Sequence, residues 1–225
     1  MEIVLASASP RRHEILKKHG VAPLVMPSGT DERLPSDMRD RPVEEIVMYL
    51  ARKKARAVYE ILRADNVSAA PAEAGLPGAP PSSGAFGFLP PSDSPRFVLG
   101  ADTVVYKDGI IGKPEDEADA FRILSSLRAS AHRVITGVSL IETVCGTETD
   151  FFDVTTVYFK DYPDAEIYRY IREEAPYDKS GSYAVQSSWA GNVERIEGDV
   201  ENVMGLPWRR VETALRARGY CARGF

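Results

Sequence analysis

The sequence predicts a mixed α/β fold, a sheet with helices packed on its faces. Two observations carry this. Short apolar runs suited to strands interleave with segments of helical spacing, but irregularly, unlike the strict alternation of a doubly wound sheet. Hydrophobic residues make up 44% and charged residues 27% of 225 residues, ordinary values for a globular chain with one sizeable core.

Residues 2–6 read as a short buried strand. A helix is expected from Ser9-Pro10, because serine is a strong N-cap and proline suits the first helical position, and Gly20 is a fitting stop. A short strand at 22–26 leads into a polar loop, 27–40. From 42 to about 63, Val43, Ile46, Val47, Leu50, Ala57, Val58, Ile61 and Leu62 keep helical spacing over several turns. Composition then changes. Residues 71–95 hold seven of the chain's 16 prolines with little periodicity, so a flexible insertion is expected at about 64–95. Beyond it come a strand at Arg96–Tyr106, a turn at Lys107-Asp108-Gly109, and a helix over 116–127 with Ala120, Phe121, Leu124 and Leu127 inward. Strands follow at 132–142 and 149–160, then a helix at Asp164–Glu174, a loop-rich stretch at 177–186 and a strand at 192–197. The last helix opens at Pro207 and stops at Gly219.

A net charge of −5 argues against nucleic acid as a bulk partner, while leaving room for one nucleotide in a local basic pocket. No apolar run reaches transmembrane length, and Glu2 stands where a secretory signal carries positive charge, so a cytoplasmic protein is expected. Cys145 and Cys221 form no CxxC pair and are expected to be reduced thiols. His13, His19 and His132 make no metal-binding spacing, so zinc is not expected.

Three constellations stand out. In Ser7-Ala8-Ser9-Pro10-Arg11-Arg12 a strand runs through a small-residue turn into a helix start bearing two arginines. That placement is unfavourable for the helix alone and suits a bound phosphate, although a solvated helix start with incidental arginines reads equally well. Lys54 falls four residues after Leu50, inside an apolar stripe, where it must snorkel, pair or face a pocket. Leu99-Gly100-Ala101-Asp102-Thr103-Val104-Val105 ends an apolar run near an aspartate, followed by Gly112-Lys113-Pro114. A carboxylate and a lysine so placed suit metal-assisted phosphate chemistry, or a turn-capping aspartate. Lys113 is not a P-loop lysine: Gly109 and Gly112 have the wrong spacing and proline replaces the hydroxyl residue. Gln186, after the loop Asp178-Lys179-Ser180-Gly181-Ser182-Tyr183-Ala184-Val185, can donate and accept as base reading requires, or simply face water.

In order along the chain these pieces resemble the Maf family of nucleotide pyrophosphatases. The matching motifs are Leu5-Ala6-Ser7-Ala8-Ser9-Pro10-Arg11-Arg12, Asp31-Glu32, Leu50-Ala51-Arg52-Lys53-Lys54-Ala55, Gly100-Ala101-Asp102-Thr103-Val104-Val105, Gly112-Lys113-Pro114, Thr136-Gly137-Val138, the loop ending at Gln186, and Asn202-Val203-Met204-Gly205-Leu206-Pro207. The resemblance implies a homodimer with an elongated mixed sheet and a central cleft, similar to inosine triphosphate pyrophosphatases. It implies hydrolysis of a nucleoside triphosphate to monophosphate and pyrophosphate with Mg²⁺ or Mn²⁺. Asp102 matches the family's proton acceptor, and Arg12, Thr103 and Gln186 match positions that separate specificity classes, here resembling the dTTP/UTP class. On this basis Ser7, Ser9, Arg11 and Arg12 are expected to hold the triphosphate, Glu32 and Asp102 the cation, and Lys54 and Lys113 the charge developing on the leaving group. Arg128-Ala129-Ser130-Ala131-His132 departs from the family's Ser-Gly-Arg before the histidine. The alternatives are a nucleotide-binding regulator that restrains cell division with little turnover, or a pyrophosphatase chiefly for modified nucleotides. Retention of Asp102, Glu32 and both lysines favours an enzyme.

Overall fold

A computed structural model describes residues 2–68 and 96–219. In chain order its elements are β1 (Glu2–Leu5), α1 (Pro10–Lys18), β2 (Leu24–Val25), α2 (Val43–Ser68), β3 (Arg96–Tyr106), β4 (Ile110–Ile111), α3 (Glu117–Leu127), β5 (Ala131–Glu142), β6 (Glu148–Phe159), α4 (Asp164–Glu174), β7 (Val193–Glu197), α5 (Val200–Met204) and α6 (Trp208–Arg216). The strands form one open sheet in the order β2-β1-β3-β5-β6-β7, with β4 paired to β3. β1 runs parallel to β2 and β3, and the other pairings are antiparallel. This is the expected mixed α/β sheet flanked by helices. Among the described residues no helix is long and apolar enough to cross a membrane.

Both faces of the central strands are covered, which is why β3 reads as a nearly continuous apolar run. Phe97, Leu99 and Ala101 pack with Ile15 and Leu16 of α1 and with Trp208, Val211 and Leu215 of α6. Val98 points the other way, into a cluster with Ala55 and Val58 of α2. At the far end of the sheet, Ala120, Ile123 and Leu124 of α3 and Ile167, Tyr170 and Ile171 of α4 close over Val105, Val134 and Phe159. Each such side chain taken fully out of water contributes roughly 1.5–3 kcal/mol.

α2 lies unusually close to the sheet. A Cβ on Gly100 would stand 2.2 Å from the Ala51 carbonyl oxygen, and one on Gly137 would stand 2.3 Å from the Val47 carbonyl carbon. Only glycine leaves room for backbone to meet backbone there. This contact adds Ala51 and Ala55 to the expected buried face of α2, where Val43, Ile46, Val47, Leu50, Val58 and Leu62 are buried as the periodicity predicts. Ala51 and Ala55 are fully buried against the sheet, whereas Ile61 is 45% exposed and Ala57 half-buried.

Other boundaries also differ from expectation. α2 continues to Ser68, so residues 64–68 of the expected insertion are helical, while 69–95 lie outside the described residues. Cys221 does too. Phe121 is half-buried, stacked on Tyr168, and Ile123 takes the inward position instead. β4 and α5 were not expected; both are short, two and five residues. Ser9 sits at the N-cap of α1 but its side chain makes no capping bond. The turn at Ala129 holds φ 48, a left-handed conformation that glycine adopts more easily than alanine.

Candidate functional site

The site arises from a gap in the sheet. β1 pairs with β3 only as far as Leu5 and Leu99, and β4 joins β3 at Val105 and Tyr106. Between them, residues 100–104 have a strand partner only on the β5 side. Consecutive strand residues point to opposite faces, yet beside an unpaired edge both can reach the same space. Asp102 and Thr103 do so, lining one cleft of about 770 Å³. The cleft brings together every site residue expected from sequence: Ser7, Ser9, Arg11, Arg12, Glu32, Lys54, Asp102, Thr103, Lys113 and Gln186.

At one wall, β1 turns through Ser7 into α1. Arg12 is buried, and each of its nitrogens is engaged: Nε donates to the Gly205 carbonyl at 2.8 Å, Nη1 to Ser7 Oγ at 2.9 Å and Nη2 to Thr103 Oγ1 at 3.1 Å. Burial lowers its pKa, against the opposing field of Asp102. Ser7 Oγ also accepts the Ser9 N–H at 3.2 Å. With both lone pairs taken, its hydroxyl hydrogen is left to donate. The first helical bond of α1 runs from the His13 N–H to the Ser9 carbonyl, so the N–H groups of Arg11 and Arg12 open the helix ahead of it. Arg11 is half-buried, 3.9 Å from the exposed carboxylate of Asp178.

The opposite wall carries the carboxylates. Lys54 lines the cleft and pairs there: its Nζ donates to Asp102 Oδ1 at 2.6 Å and Glu32 Oε1 at 2.8 Å. Lys113 Nζ stands 3.8 Å from Glu32 Oε2. The close approach of α2 at Gly100 and Gly137 places Lys54 over Asp102, which pairs across the strands with Gly137. Burial pushes the Asp102 carboxyl above its ordinary value, with Lys54 and Arg12 pulling the other way. The hydrogen bond from Lys54 holds Glu32 below its ordinary value. Among the described residues no third histidine, cysteine or carboxylate joins Glu32 and Asp102 in a metal-sized group.

Gln186 is exposed at the cleft rim, beyond the Asp178–Val185 loop. That loop is anchored from beneath, where the Ser180 hydroxyl donates to the Thr103 carbonyl at 3.3 Å and the Gly181 N–H to the Gly112 carbonyl at 3.0 Å. Behind Arg12 lie two residues that the sequence marked only as part of a matching motif, with no site role. Gly205 receives its Nε, and Asn202 of α5 is fully buried, with Nδ2 donating to the Val134 carbonyl and Thr155 Oγ1, each at 3.0 Å. Asp199, whose side chain caps α5, and Gly205 at φ 110 are the local signals that could have marked this helix.

An open sheet whose gap sets a cationic helix start against a lysine-bridged carboxylate pair defines an α/β protein with a cleft suited to a polyanion. Comparison with known proteins makes the class specific. The model for the Maf-like protein family matches residues 2–218, and the chain belongs to that family. Among its relatives, a dTTP/UTP pyrophosphatase of Caldicellulosiruptor saccharolyticus is 36% identical over 97% of this chain and 96% of its own length. A dTTP/UTP pyrophosphatase of Citrifermentans bemidjiense is 38% identical, and one of Geotalea uraniireducens 40%, each over 96% of this chain and 95% of theirs.

Proposed function

We propose that this chain hydrolyses dTTP and UTP to the monophosphate and pyrophosphate. Membership of the Maf-like family and full-length likeness to dTTP/UTP pyrophosphatases support a nucleotide pyrophosphatase. The observation that carries the mechanism is the buried Asp102 carboxylate, bonded to Lys54 and facing the N-terminus of α1 across one cleft.

In this reading the triphosphate lies against the free N–H groups of α1, the Ser7 hydroxyl and the Arg11 guanidinium, which all donate to anionic oxygen. Arg12, already engaged with the protein, supplies charge and fixes Ser7 and Thr103. Asp102 orients the attacking water and accepts its proton; a carboxyl whose pKa burial has raised is a better base for that step. Lys54 and Lys113 offset charge on the departing pyrophosphate. Positioning and electrostatics suffice for this transfer, with no covalent intermediate. On the family resemblance, a cation such as Mg²⁺ or Mn²⁺ would be held by Glu32 and Asp102 and would neutralise phosphate charge when bound. The reading extends to a cytoplasmic homodimer, on the family resemblance; light scattering measures the dimer.

The test is incubation of the purified protein with UTP, dTTP, CTP, ATP, GTP and methylated pyrimidine nucleotides, with Mg²⁺ or Mn²⁺, separating the products. UMP, dTMP and pyrophosphate are expected, with UTP and dTTP well ahead of ATP and GTP. Orthophosphate without pyrophosphate, or no turnover of any nucleotide, would overturn the proposal.

A further inference from the structure

The hydrogen bonds behind Arg12 have a fixed direction. Thr136 is fully buried and has one hydroxyl hydrogen, which goes to the Asn202 carbonyl oxygen 2.9 Å away, a group that can only accept. Toward Thr103 Oγ1, 2.9 Å away, Thr136 can therefore only accept, so the Thr103 hydrogen is directed at Thr136. The contact is built into the sheet, because Thr103 and Thr136 are directly opposed on β3 and β5. One Thr103 lone pair receives the N–H of Arg12 Nη2. What remains for the cleft is a single lone pair. A Cβ at Gly205 would stand 3.4 Å from both Thr103 Oγ1 and Arg12 Nε, so the missing side chain leaves the approach to them open. Asn202 keeps its carbonyl in place through its own two side-chain bonds.

We propose that Thr136 is a positioning residue that turns Thr103 into a pure acceptor, and thereby selects nucleotides that present a hydrogen-bond donor to it. The inference rests on the nucleotide reading above and deepens it. Two groups of a pyrimidine nucleotide are such donors, the N3–H of uracil or thymine and a sugar hydroxyl. Cytosine N3 is an acceptor, and set against the Thr103 lone pair it would leave two acceptors facing each other. This gives the site a direction that Gln186 alone does not, since an amide can flip.

Thr136→Val removes the hydroxyl at nearly constant volume and frees Thr103 to turn its hydrogen into the cleft; Thr136→Ser keeps the hydroxyl. Binding is read by calorimetry with UTP, CTP and 3′-deoxy-UTP analogues bridged by methylene between the α and β phosphorus atoms, so no turnover is needed. If N3–H is the donor, Thr136→Val shrinks the UTP-to-CTP affinity ratio by roughly tenfold, the value of one oriented hydrogen bond, and Thr136→Ser restores it. If the sugar hydroxyl is the donor, that ratio stays and the penalty for the 3′-deoxy analogue disappears instead. Either outcome supports the proposal, and Thr136→Ala serves the same comparison should the valine variant not fold. In a Thr103→Val background, Thr136→Val should change neither ratio further. Both ratios unchanged in Thr136→Val, or every ligand weakened by one common factor, would overturn it. Wild-type protein that binds UTP without releasing pyrophosphate would sink the hydrolase reading alone; failure to bind any nucleotide would sink both.

Discussion

Asp102 carries opposing demands. Its side chain is 10% exposed and that of Lys54 is 12%, so each charge depends on the other for compensation. Asp102→Asn preserves shape but is no base and a poor cation ligand. Pyrophosphate release should fall by ~10²–10⁴, the usual loss with a general base, while UTP affinity by calorimetry stays within about tenfold. Near-normal turnover would remove Asp102 from the mechanism. At the rim, Gln186→Ala should lower kcat/KM for UTP and dTTP more than for ATP and GTP, because the pyrimidine edge loses an amide partner. An equal loss for every nucleotide would assign Gln186 to the phosphates or the loop. All these residues were legible as candidates, but their contacts were not. Arg12 and Gly205 are 193 positions apart, and no local pattern announces such a bond.

The long helix shows how an element positions a residue. Gly100 and Gly137 let α2 settle directly on β3 and β5, and that depth brings the Lys54 ammonium to Asp102. Gly100→Ala would push a methyl group into the Ala51 carbonyl and the Ala55 amide, backbone on both sides. Overpacking of this kind costs about 1–3 kcal/mol, roughly 5 °C in Tm for a chain this size. Pyrophosphate release should fall with it, as Lys54 moves off Asp102. A variant with wild-type melting and activity would show that the helix height does not matter. Periodicity located α2, and β3 and α4 have the expected ends, because long apolar patterns register there. It did not predict which side of α2 sits deepest. Ala51 and Ala55 carry little hydrophobic signal, and their burial follows from glycines on another element. β4 and α5 were too short to show a period at all.

At the scale of the whole molecule, stability should depend on pH through His132. It is buried between β5 and the cleft loop, with Nε2 2.7 Å from the Tyr183 hydroxyl and its ring edge-on to Phe159. Burial, helped by Lys107, lowers its pKa from 6.5 to about 4. The folded protein thus binds fewer protons than the unfolded chain between those values. Stability is full above the unfolded value and is lost as pH falls toward the folded one. Lowering the pH from about 7 to about 5 should remove on the order of 2 kcal/mol through this group alone. Urea unfolding at the two pH values measures it, and His132→Gln should flatten the difference; an equally steep loss in the variant would place the effect elsewhere. The gap in the sheet has a consequence for how such a protein can diversify. Asp102 and Thr103 are neighbours in sequence that enter the cleft from opposite faces of one strand. Inserting or deleting one residue in β3 would exchange the two faces and send both side chains the wrong way. The cleft-facing placement of both side chains is therefore locked to one reading frame of the strand. If Thr103 reads the nucleotide as proposed, new preferences are reached by substitution at Thr103 and behind it, not by lengthening the strand that carries the carboxylate.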